Sequence, residues 1–146
     1  MSAMATHGRP AARVLAAWLA VWLTAACANP AMLRDRPLED GKAMPFRASS
    51  AAVYPIAVAA VREAGLRIEH QYHVSADTWM ILASSIASPT EVTAIVRVVV
   101  EGTDENECVV HVLSKRTIPT EITFSDFYAD RIFGYLVARL VQTPGD

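Results

Sequence analysis

The sequence predicts a single α+β domain: a two-layer sandwich with a four-stranded antiparallel sheet and two helices packed on one face, in the order α-β-β-β-β-α. Three observations predict it. Apolar residues recur at helical spacing over 50–64 and 125–141. Four strand candidates lie between those stretches: Leu66–Tyr72 and Glu91–Glu101 alternate apolar and polar residues, Thr78–Ser85 is apolar on both faces, and Glu107–Lys115 is so in part. The run Gly102-Thr103-Asp104-Glu105-Asn106 separates the last two of them as a hairpin turn. Each helix has one apolar face to bury, and one face of a sheet accommodates both.

In the first helix Val53, Ile56, Ala57, Ala60, Val61 and Ala64 fall on one side. Gly65 follows as a C′ stop, and Pro55 belongs in the first turn or so, where a missing N–H is tolerated. In the first strand, Leu66–Tyr72, strict alternation puts Leu66, Ile68 and Tyr72 together. The second strand is Thr78–Ser85. The third, Glu91–Glu101, sets Val92, Ala94, Val96, Val98 and Val100 against Thr93, Arg97 and Glu101. Glu107–Lys115 returns beside it. Thr117–Thr123 contains Pro119 and reads as a loop or a ragged edge. In the last helix Ser125 is the expected N-cap and Asp126 complements the dipole. Tyr128, Ile132, Tyr135, Leu136, Arg139 and Leu140 line one face of it.

Upstream of residue 46 no period survives. Residues 27–45 hold Pro30, Pro37, Pro45 and Gly41 with charges of both signs, which predicts a flexible tether ahead of a domain at 46–146; the alternative is that part of it, around Ala31–Leu33, adds a strand to the sheet edge or covers its open face. Residues 1–26 have the anatomy of an export signal. Arg9 and Arg13 form a cationic start, and Val14–Leu23 is an uncharged apolar run too short to span a bilayer comfortably. Leu23-Thr24-Ala25-Ala26-Cys27 then resembles the lipobox of bacterial lipoproteins, with Thr24 where leucine is commonest. That resemblance implies lipidation of Cys27 and a membrane partnership through the anchor. Ala28, rather than Asp, after the cysteine points to the periplasmic face of the outer membrane. An ordinary signal with a chance cysteine, and an uncleaved anchor, are the alternatives.

With both signal arginines removed, the remainder carries 11 of the 13 Lys and Arg and all 15 Asp and Glu. A mildly acidic domain without clustered cations is no partner for nucleic acid. His70, His73 and His111 are the metal candidates, but residues three apart on a strand point to opposite faces, so no metal site is expected. Cys108 is the one cysteine left after lipidation and reads as a small buried residue. Ser84, Ser85, Ser88 and Ser114 lack the glycine elbow of a serine hydrolase. Asp104, Glu105 and Glu107 read as a solvated hairpin tip, and Asp126 and Asp130 as a cap with charge balance from Arg131. Tyr72, Trp79 and Ile81 are the candidate apolar binding face if helices cover only one side of the sheet; the alternative is that helix and tether between them cover both sides.

Several landmarks together resemble a family of short proteobacterial lipoproteins known as a domain of unknown function (DUF3568). They are the lipobox cysteine, the alanine-rich helix Val53–Ala64 with its tyrosine, the exit Gly65-Leu66-Arg67-Ile68, the valine-rich strand Glu91–Val100 and the ending Leu136–Leu140. Thr120–Phe124 stands where that family has a glycine-rich approach to the last helix. The resemblance implies location and fold, and no activity. The expected function is a non-enzymatic binding or envelope-assembly accessory domain with an envelope protein as partner and no cofactor. The alternative is a carrier or sensor of a small apolar ligand or lipid.

Overall fold

The computed structural model describes residues 30–85, 93–118, 121–124 and 126–141. Cys27, Ser88, Val92 and Ser125, and the readings that fall on them, lie outside the described residues. The chain is α+β, and its described residues form one antiparallel sheet and two α-helices. The strands are β1 (Lys42–Phe46), β2 (Leu66–Ser75), β3 (Thr78–Ser85), β4 (Thr93–Asp104), β5 (Glu107–Ile118) and β6 (Glu121–Phe124). The helices are α1 (Ser50–Glu63) and α2 (Phe127–Val141). The continuous strand order is β1-β5-β4-β3-β2, and β6 also pairs with β5. β1 takes Cys108–Val112 and β6 takes Lys115–Ile118, so the two short strands lie end to end along one edge of β5.

Among the described residues the expected four strands are therefore corrected to six. β1 is five residues long and contains a proline, so its alternation is too brief to read. Pro45 is tolerated because β1 lies at the edge of the sheet. Gly41 delivers it there: a Cβ at that position would lie 2.7 Å from the Val112 carbonyl oxygen. β6 is four residues of the stretch expected to be a loop or ragged edge.

α1 starts at Ser49, whose hydroxyl accepts from the Ala52 N–H, and stops at Gly65, whose φ of +80° suits glycine. Pro55 sits in the second turn rather than the first, so Ala51 loses one intrahelical donor. Val53, Ala57, Ala60 and Val61 of α1 and Ala129, Ile132, Phe133 and Leu136 of α2 are buried on one face of the sheet. The strands offer them Ile81, Ala83, Val96, Val98, Val100, Val110 and Val112. At about 1.5–3 kcal/mol per buried Val, Leu, Ile or Phe side chain, this layer is the main source of stability.

The opposite face is covered too. Two 3₁₀ turns, Pro30–Leu33 and Leu38–Asp40, form a strap across it. Leu33 is 1 % exposed and packs with Ile95 and Leu113 in a second, small core. Arg97, mid-strand in β4, is also 1 % exposed. Its guanidinium donates to the carbonyl oxygens of Leu33 (2.8 Å), Arg36 and Pro37 (2.9 Å). Burial lowers its pKa, with Asp40 opposing that shift. Composition marked residues 27–45 as a flexible tether, and this is corrected for residues 30–45. A segment with few apolar residues is fixed here by one leucine, one strand pairing and an arginine that satisfies its carbonyls.

Candidate functional site

The far-face reading of Tyr72, Trp79 and Ile81 does not survive the register. β2 pairs Ile68 with Ala83 but His70 with Leu82, so Glu69 is an extra residue in a β-bulge. One extra residue reverses the phase of everything after it. Tyr72 consequently lies opposite Met80 on the strap side, where the Arg34 guanidinium sits 4.8 Å above its ring. Ile81 faces the helices and is fully buried, so it cannot meet a ligand. Trp79 is also on the helix side. It is stacked between Tyr54 of α1 at 4.5 Å and His73 of β2 at 3.9 Å. The three residues share no surface.

Strand alternation separates His70 and His73, which both follow the bulge and lie three residues apart. His70 lies on the strap side with Leu82, whereas His73 lies with Trp79 on the helix side. His111 is on β5, three strands away in the sheet order. Among the described residues no group of three metal-ligating side chains converges. His111 Nε2 does lie 3.4 Å from Glu101 Oε2, without hydrogen-bond alignment. Cys108, the nearest thiol in sequence, packs in the helix-side core, and residue 111 is three positions on, pointing the other way.

The remaining polar candidates have structural partners. Ser84 Oγ donates to Glu69 Oε1 at 2.7 Å, and with Arg67 it holds that carboxyl below its usual range. Ser85 Oγ accepts from the Ala94 N–H. Asp104 caps the Glu105 N–H at the hairpin tip. Asp126 and Asp130 are paired with Lys42 of β1, at 3.2 and 3.0 Å, rather than balanced by Arg131, whose guanidinium stands over Phe127.

Burial pushes the Cys108 thiol up to about 11 from an ordinary 9.0. A thiol protonated at neutral pH is a poor nucleophile. The raised folded pKa means that the unfolded chain ionises first. The stabilisation is complete below pH 9 and is lost as pH rises towards 11, a change of about 2–3 kcal/mol. Melts of the wild type between pH 8 and 11 should show that decline, and Cys108→Ala should flatten it. Parallel curves for the two proteins would rule the thiol out as its origin.

A concave site that sequence reasoning missed lies where β1 meets both helices. Met44 and Phe46 form its floor with Pro45. Arg47 and Ala48 carry the chain to α1, whose first turns contribute Ala52 and Ile56. Val137, Leu140 and Val141 from the end of α2 close the other wall. The result is a half-open groove of about 530 Å³ whose lining side chains are all apolar apart from that of Arg47. Its rim exposes two large aliphatic side chains, Val137 at 42 % and Val141 at 77 %. One signal in the sequence hinted at it. Val137 and Val141 extend the apolar surface of α2 beyond the stripe that the sheet can cover. Compared with known proteins, the chain matches no family model, no curated protein and no solved structure at a significant level.

Proposed function

We propose that this chain is a lipoprotein held through lipidated Cys27 at the periplasmic face of the outer membrane, and that its domain is a non-enzymatic binding or envelope-assembly module. The observation that supports a binding role is the groove between β1, α1 and α2, with its exposed valine rim. Soluble monomers seldom leave concave apolar surface of this kind without an occupant. Supporting the address are the short apolar leader and Leu23-Thr24-Ala25-Ala26-Cys27. The landmarks shared with DUF3568 lipoproteins support the same placement. A carrier of a small apolar ligand is the second reading, favoured by the groove's volume, which falls in the roughly 300–1,000 Å³ of small-molecule sites.

The address is tested by mass spectrometry of the protein from cells. The expected N-terminal peptide starts at Cys27 and carries acyl chains, and Cys27→Ala should leave the protein unprocessed or in the soluble fraction. Cleavage elsewhere, or an unmodified Cys27, rejects the anchor. The binding role is tested by placing a photo-crosslinking residue at Val137 in cells. Specific adducts that disappear with Leu140→Gln are expected, and their absence counts against the groove.

A further inference from the structure

We infer that the groove takes a single long-chain carboxylate, that is, a free fatty acid, with its alkyl chain against Met44, Ile56, Val137 and Leu140 and its head on Arg47. This rests on the reading of the groove as the binding site and names its ligand class. Three features of the wall point to it. Every lining side chain but that of Arg47 is apolar, which suits a ligand whose body carries no polar group. A peptide does not meet that condition, because each of its amides needs a partner, and β1 offers Pro45, which has no N–H, to a docking strand. The exception is Arg47, an exposed cation at the rim, and no Asp or Glu lines the groove. Among the described residues no carboxylate pairs with Arg47. An alkyl body with one anionic end matches an apolar wall with one unpaired cation. The rim is open, so the head group stays in water while the chain is covered.

The test uses the mature full-length chain and the fluorescent fatty acid cis-parinaric acid, whose emission rises in apolar surroundings. Saturable emission is expected, with palmitate displacing the probe. Methyl palmitate, which keeps the chain and loses the charge, should compete about three- to fivefold less well, as suits an exposed ion pair. Arg47→Gln should abolish that difference while leaving the ester unaffected. Val137→Asp, at an exposed position that the core does not need, should block both ligands and leave the melt unchanged. The acid–ester comparison is made in the wild type, so it stands even if a variant fails to fold.

Equal competition by acid and ester overturns the carboxylate assignment. Stronger displacement by lysophosphatidylcholine than by palmitate also overturns it, in favour of a phospholipid. No binding by any of them, with the Val137 crosslinker joining a second copy or a partner protein, overturns the ligand class and leaves the binding-module reading intact. No ligand and no adduct at Val137 removes both.

Discussion

Arg97→Ala is expected to destabilise the domain by about 3–5 kcal/mol, the largest effect of any single substitution outside the helix-side core. The side chain is almost wholly buried and bonds three backbone carbonyls of the strap. Hydrogen bonds from a charged donor contribute about 1.5–3 kcal/mol each, not additively, and unmet carbonyls add to the cost. Its aliphatic stem also lies in the row Leu82–Arg97–Leu113 across the sheet. Arg97→Met keeps the stem and removes the cost of burying a guanidinium, so it should lose only about 1–3 kcal/mol. Both variants should speed amide exchange over residues 33–38, with the helices less affected. Urea melts within about 1 kcal/mol of wild type for the alanine variant would show that the strap is held by other contacts.

Truncation before Arg47 should abolish cooperative folding. It removes Leu33, Phe46 and the pairing of β1 with Cys108–Val112. Losing a buried Leu and a buried Phe side chain costs about 2–5 and 3–5 kcal/mol, against a typical total stability of about 5–15 kcal/mol. Ile95 and Leu113 would also face water. A milder cut before Lys42 keeps β1 and isolates the strap. Its cost should be smaller in an Arg97→Met background than in the wild type, because the two changes remove the same contacts. Additive costs in that cycle would separate the strap from the arginine. A chain starting at residue 47 that melts as sharply as the full-length protein would return residues 30–46 to the status of a linker.

The helices and β2–β5 were legible because each buries a stripe long enough to impose a period. Leu66, the ends of β3 and the stop at Gly65 follow from that pattern and from backbone stereochemistry. Residues 30–46 were illegible for the opposite reason. Their order comes from non-local partners, Arg97 on β4 and an edge of β5, which leave no local period. A hint did exist: Ile95 and Val99 flank Arg97 on its own face, and Leu113 stands opposite it, which is too apolar for a solvated surface. The bulge at Glu69 was hidden as well, because adding one residue preserves alternation and changes only its phase. That hidden residue separated Tyr72 from Trp79 and dissolved the expected binding face. The groove was missed because it combines residues far apart in sequence, Met44 to Val141, that only the packing of two helix ends brings together.

The strap sets how far the domain can stray from a bilayer. Pro30 is already buried against the sheet, and only two residues separate it from Cys27. Fully extended, that stretch reaches roughly 10 Å, at about 3.3–3.6 Å per residue. With the anchor at Cys27, as proposed, the protein is leashed at head-group height rather than floating on a long tail. On that anchoring the described domain would begin within roughly 10 Å of the lipidated residue, and a partner would be met close to the membrane surface.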